Sequence, residues 1–244
     1  MAYIYEYIRT QGYEPMHFEE HYTYLDALAI TYFASPLKIS RQGLKTAIKE
    51  RLQENKLLPT TMNVVCVKYF ADATFVIEAN YMIYDSFSLR VLHPQAHLYR
   101  LSGDILLDNT SAKETLLEFN RTSLHALYSN NDVAIWADEH DEVIAIDGSS
   151  VVAVFEDEVR FSRKGRGVEF DLAYDLLSAT REGVTKGEIR VEELPKAKEL
   201  LYINHEGVAA VQLYESDTKP GKCHIYMDIL AEKIANKIAE AEQM

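Results

Sequence analysis

Cysteine is scarce in this chain. Its 244 residues include two, Cys66 and Cys223. They lie far apart and match no metal-binding or redox spacing. Cys66 sits in the apolar run "NVVCVKYF" and reads as a small core residue. No apolar run approaches 18 residues, so no membrane-spanning helix is expected. The Met1 region lacks a basic segment followed by an apolar one, so no signal peptide is expected and a reducing cytoplasm is the default location. Positive charge is also short: 25 Lys and Arg stand against 38 Asp and Glu, a formal net charge of −13. A nucleic-acid partner, which needs a basic face, is therefore not expected. The acid is dispersed and mainly serves solubility. No GxSxG, P-loop, GxGxxG or HExxH motif occurs, nor any internal repeat or low-complexity segment.

What is present is a chain of ordinary globular composition, long enough to bury a real core. "AYIYEYIRT" alternates and predicts a strand, "GYEP" a turn, and "HFEEHYTYLDALAITYFA" a helix in its second half. Ser40 caps an amphipathic helix, "RQGLKTAIKERLQEN", with Leu44, Ile48 and Leu52 on its apolar face. "TMNVVCVKYF", "ATFVIEANYMIY" and "FSLRVLHPQ" read as strands. Pro94 to Asn109 is less regular and reads as a link between domains. A helix follows from about Ser111 to Tyr128. "VAIWADEHDEVIAID" and "SVVAVFEDEVRFS" read as hairpins. "GRGVEFDLAYDLLSATREG" is a loop entering a helix, "GEIRVEEL" a strand, "LPKAKELL" a short helix and "LLYINHEGVAAVQLYE" a strand-loop-strand unit. "HIYMDILAEKIANKIAEAEQM" closes the chain as a helix.

Local chemistry is sparse. His17 and His21 have i, i+4 spacing, as do His93 and His97, but neither pair has a clear third ligand, so no metal site is expected. "GRG", Gly165 to Gly167, precedes a helix. Its amides, with Arg163, Lys164 and Arg166, could hold an anion, but the local sequence favours a basic surface turn. Asp147 ends one strand and opens "DGSS", where a carboxylate either serves a ligand or begins a turn.

The order of these pieces resembles the class IV aminotransferases, the fold type IV enzymes that use pyridoxal phosphate (PLP) and include branched-chain aminotransferases and aminodeoxychorismate lyases. "YEYIRTQGYEPMHFEEHYTYLDALA" resembles the family's opening strand, turn and helix. "VIAIDGSSVVAVF" resembles its cofactor hairpin, "RFSRKGRGVEFDLAYDLL" its phosphate loop and helix, and "LLYINHEGVAAVQ" the later strand and Asn-containing loop. The resemblance implies that Asp147 holds the pyridine nitrogen, that Gly148, Ser149, Gly167 and Val168 line the cofactor, and that Asn204 lies in the loop near the substrate. A lysine amine forms an imine with PLP in this family.

Several positions depart from the pattern. Tyr24 stands where an arginine is usual, Val152 where Asn is common, and Glu169 and Phe170 where Thr and Arg are usual. A carboxylate beside a phosphate is repulsive by several kcal/mol, at an effective dielectric of about 20. Counting back from Asp147 puts the Schiff-base residue at Lys113. Anchoring on Asn120-Arg121 puts it at Leu117, which cannot form an imine.

The resemblance implies an α+β protein of two domains: a smaller N-terminal α/β domain over 1–100 and a larger, barrel-like C-terminal domain over 101–244. It also implies a homodimer. Function divides along the same fork. With Lys113 the chain is a PLP-dependent transaminase or lyase acting on an amino acid or keto acid. With Leu117 it is a degenerate relative that binds or regulates.

Overall fold

The computed structural model describes residues 1–82, 88–93, 95–102, 107–215 and 223–242, with side chains left aside over 88–93. The protein is α+β and separates into two compact units, one formed by 1–86 with 108–114 and the other by 87–107 with 115–244. The division differs from the expected one at residue 100, because residues 96–100 form a strand whose backbone pairs within the second unit.

In the first unit, β1 (Tyr3–Gln11) turns through Gly12 into a short β2 (Glu14–Pro15). Two helices follow, α1 (Phe18–Phe33) and α2 (Arg41–Glu54), then β3 (Met62–Phe70) and β4 (Phe75–Tyr81). α1 begins at Phe18, so the whole segment after His17 is helical rather than its second half alone. The strands form an antiparallel sheet in the order β2-β1-β3-β4. Period-two alternation sends Ile4 and Ile8 of β1, with Val65 and Val67 of β3, into one core with Leu25, Leu28, Leu44 and Ile48 of the helices. Ser40 caps α2 as its position before the apolar repeat predicts, its hydroxyl accepting from the Gly43 amide at 3.1 Å.

The second unit holds β5 (Ser88–His93), β6 (Ala96–Arg100), most of α3 (Ser111–Leu127), β7 (Val133–Ala137) and β8 (Val143–Ile146). It continues with β9 (Ser150–Val154), β10 (Val159–Ser162), α4 (Val168–Ser178) and β11 (Val184–Gly187). Last come β12 (Glu199–Asn204), β13 (Gly207–Val211), β14 (Leu213–Glu215), β15 (Cys223–Ile225) and α5 (Ile229–Ala241). Six strands pair in the order β11-β10-β9-β12-β13-β5 and five in the order β15-β14-β6-β7-β8.

Strands β7, β8, β9, β12 and β13 read as unbroken apolar runs because both of their faces are covered. Val152, Leu201 and Val208 of the larger sheet face Phe170, Leu177, Ile234 and Ile238 of α4 and α5. Val151, Ala153 and Tyr202 point the other way and pack with Val133, Ile135 and Val143 of the smaller sheet. That sheet turns Ala134, Trp136 and Ala145 toward Leu116 and Leu117 of α3.

Two local expectations change. "LPKAKELL" does not form a helix: Val191–Lys196 is a 3-10 turn, and the chain then enters β12 at Glu199. Pro195 breaks the helical ladder, and the apolar run beyond it satisfies its backbone in the sheet instead. Of the strand expected over "GEIRVEEL" only Gly187 lies in β11; residues 188–190 are irregular apart from an isolated bridge at Arg190, and the 3-10 turn begins at Val191.

Glu199 also ties α5 to this unit. It is buried, and its carboxylate accepts from the Leu230 amide (2.8 and 2.9 Å) and the Ala231 amide (3.4 Å) at the helix N-terminus. Asp228, the helix's own capping residue, makes no side-chain cap. Glu199→Ala should therefore cost about 1–3 kcal/mol of stability, read as a lower urea midpoint, with a smaller loss for Glu199→Gln. Burial holds the Glu199 carboxyl above its ordinary value, although the amides oppose this. The folded state thus keeps a proton that the unfolded chain releases. Wild-type stability, measured relative to Glu199→Gln, should fall as pH rises through that raised value.

Candidate functional site

Asp147 and Gly148, at φ +48° and +70°, are the two central residues of the turn between Ile146, which ends β8, and Ser149, which precedes β9. Ile146 and Ser149 exchange backbone hydrogen bonds across them at 3.1 and 2.8 Å. This is the left-handed two-residue hairpin turn for which Asp-Gly is favoured, because Gly meets no penalty there and Asp little. The turn alone therefore accounts for the identity of both residues.

The Asp147 carboxylate is engaged at both oxygens. Arg121, on α3, donates from Nε at 3.0 Å and from Nη2 at 2.7 Å. The Asp147 side chain is 18% exposed and that of Arg121 55%, so the fork orients the carboxylate but is worth only about 1 kcal/mol. Leu117 lies one helical turn before Arg121 on the same face of α3. Its branch closes over Gly148: a Cβ placed there would meet Leu117 carbons at 2.7–3.0 Å.

Ser149 and Asn204 come together, the Asn204 amide donating to the Ser149 hydroxyl at 3.1 Å. Asn204 also accepts from the Glu206 amide at 2.9 Å, which shapes the turn between β12 and β13. The next residue, Ser150, grips the glycine loop: its hydroxyl accepts from the Arg166 amide and donates to the Arg166 carbonyl, each at 2.7 Å. Gly167 follows at φ +119°, with open space where a Cβ would be, and α4 starts at Val168, which is buried. The second unit thus gathers Asp147, Gly148, Ser149 and Asn204, and Ser150 joins them to the loop before Gly167. Lys113 belongs to the first unit.

Two of the loop's basic residues, Arg163 and Lys164, serve internal carboxylates. Arg163 forks onto buried Glu142 at 2.8 Å from both Nε and Nη2, and Lys164 donates to Asp138 at 2.6 Å. Burial alone would raise Glu142, but Arg163 and Lys164 hold its carboxyl below the ordinary value. Arg166 folds back onto the carbonyls of Arg163 and Gly165, at 3.3 and 2.8 Å. Glu169 is buried in the first turn of α4, and Phe170 packs on Phe161 in the core. The loop is a structural turn more than an anion cradle.

Lys113 stands in the first turn of α3, half-buried. Its amine donates to the Asn109 side-chain oxygen at 3.0 Å, the Asn109 amide donates to Glu6 at 2.8 Å, and His21 Nδ1 shares a proton with Glu6 at 2.7 Å. Burial lowers the Lys113 amine to about 8, and the Glu6 and Asp108 carboxylates oppose that drop. His17 and His21 do not act as a pair: His17 is in the left-handed region before α1, and His21 is buried against Glu6. His97 bonds Asp132 at 2.9 Å, while the side chain of His93 lies outside the described residues. Among the described residues no group of three His, Cys, Asp or Glu is placed to hold a metal.

PLP needs an amine, a carboxylate free to face a pyridinium and an electropositive phosphate end. The residues around Asp147 and Gly167 do not fit it. Asp147 already faces a guanidinium, an alkyl side chain covers Gly148, and the first turn of α4 buries the Glu169 carboxylate. Sequence reasoning used Arg121 only to set the register of α3 and missed it as the partner of Asp147. The i, i+4 spacing of Leu117 and Arg121 was the available signal.

No family model and no curated protein matches the chain by sequence. Solved structures do match. A proposed branched-chain amino acid aminotransferase from Thermotoga maritima superposes with a TM-score of 0.76 at 16% identity, covering 98% of this chain and 85% of that one. A proposed 4-amino-4-deoxychorismate lyase from Legionella pneumophila gives 0.73 at 11%, covering 98% and 91%. The PLP-bound form of a hypothetical aminotransferase from Mycobacterium tuberculosis gives 0.74 at 11%, covering 98% and 88%. With both compact units spanned by each match, the chain has the fold type IV architecture of the class IV aminotransferases and aminodeoxychorismate lyases.

Proposed function

We propose that this protein is a non-catalytic member of the fold type IV group, a binding or regulatory protein that does no PLP chemistry. One observation carries the reading: the Arg121 fork neutralises Asp147 while Leu117 covers Gly148. A guanidinium fixed on that carboxylate repels a protonated pyridine, and Leu117 supplies no amine at the hairpin. The small-molecule ligand and the homodimeric state expected from the resemblance, and the cytoplasmic location expected by default, belong to this proposal. A second reading keeps the enzyme, with Lys113 as its Schiff-base residue. The lowered Lys113 amine favours it, since a neutral amine is the nucleophile.

Incubation with PLP, borohydride reduction and peptide mass mapping separates the two. The expected result is no imine absorbance and no pyridoxyl adduct. A stoichiometric adduct on Lys113, lost in Lys113→Ala, would establish the enzyme instead.

The amine has a consequence for stability under either reading. Its folded value of about 8 lies below that of an unfolded lysine, so between the two the unfolded chain binds more protons. Wild-type stability relative to Lys113→Met should rise as pH increases from about 8 toward 10, followed by urea denaturation at each pH.

A further inference from the structure

Beneath α3, the smaller sheet buries two hydrogen-bond donors, Trp136 Nε1 and the Tyr99 hydroxyl, that have no acceptor among the described residues. Trp136 of β7 is fully buried, and its indole Nε1 has no partner. Tyr99 of β6 is its in-register neighbour on the adjacent parallel strand, and the Tyr99 hydroxyl is likewise buried without a partner. Both side chains belong to one apolar cluster, on the face that also carries Ala134 and Ala145 and meets Leu116 and Leu117. Neighbouring strands stand about 4.8 Å apart, so the backbones of the two residues are adjacent. Buried donors left without acceptors are rare in folded proteins, and two adjacent ones on one apolar face are unusual. Burial also pushes the Tyr99 hydroxyl up, so it remains a donor at neutral pH.

We propose that this face of the second unit binds a small apolar molecule bearing a neutral carbonyl oxygen, which accepts from Trp136 Nε1 and the Tyr99 hydroxyl. The acceptor is a carbonyl rather than a carboxylate because neither donor is charged, and an anion stripped of water there would gain no counter-charge from them. Leu116 and Leu117 hold the apolar body, and Ala134 and Ala145 leave the sheet surface low beside Trp136. The same Leu117 side chain that closes over Gly148 thus serves as a wall of the ligand site. The proposal deepens the binding role above and rests on it. A pyridoxyl adduct on Lys113 would remove that role, whereas failure of the titration below leaves the absence of PLP chemistry standing.

The chain has one tryptophan, so a spectrum of 15N-labelled protein contains a single indole N–H signal. Cyclohexanone is the probe. Titration into the whole protein should move that signal downfield and saturate at millimolar ketone, as suits a fragment-sized ligand. Tyr99→Phe, which keeps the ring, should weaken binding about three- to tenfold. Trp136→Phe should abolish the rise in melting temperature that cyclohexanone gives the wild type. A signal that stays in place or drifts without saturating overturns the proposal. So does equal affinity in Tyr99→Phe, or an indole proton showing contact with a long-lived water and no response to the ketone, which would mean that a buried water serves the two donors.

Discussion

The carboxylate of Asp147, at the tip of a two-residue turn, is held by the Arg121 guanidinium from α3. The pair connects three things that local sequence treats separately. The turn joins β8 of the smaller sheet to β9 of the larger one. The guanidinium orients the face of α3 that presents Leu117 to Gly148. The backbone beyond the turn delivers Ser149 to Asn204 and Ser150 to the glycine loop. Contacts at four successive residues, 147 to 150, therefore converge on one hairpin. The pair is weak in energy, since Arg121 is largely exposed. Its importance is geometric: two parallel N–H donors leave the carboxylate one orientation.

The same economy governs the charges around the glycine loop. A sequence with arginines and a lysine beside "GRG" invites an anion, but in the fold Arg163 and Lys164 are answered by carboxylates more than twenty residues away in the chain. Glu142 is buried and has to be paired, and Arg163 and Lys164 are close enough to pair it. Once they do so, little positive potential remains for a phosphate. In the first unit, the polar chain from His21 through Glu6 and Asn109 to Lys113 follows the same principle in a drier setting. Each member of that chain finds a partner, and burial lowers the amine at its end.

Sharing the fold type IV architecture does not carry its chemistry across, because function depends on side chains that the scaffold tolerates losing. The strands that build the two sheets need only apolar residues on both faces. Leu117 of α3 and Phe170 of α4 pack as apolar residues against those sheets, and that packing maintains the fold whether or not the residues around Asp147 and Gly167 fit a cofactor.

Much of this was legible in the residues alone. The hairpins of β7–β8, β9–β10 and β12–β13, the Ser40 cap and helices α2 to α5 follow from periodicity and turn chemistry, which are local. The α+β architecture was implied by the family resemblance that their order carries. The ends of elements near Pro195 and the placement of residues 96–100 did not, because a lone apolar segment fits a helix or a strand until a neighbouring strand offers its hydrogen bonds. The meaning of "DNTSAKETLLEFNRTSLH" was likewise undecided. Its sequence determined a helix bearing one lysine, one leucine and one arginine in reach of chemistry. Only the tertiary structure decided that Arg121 meets Asp147 and Leu117 meets Gly148. Such pairings depend on which face of a helix lands on which strand, and that is settled by burial of the whole apolar face rather than by any single residue.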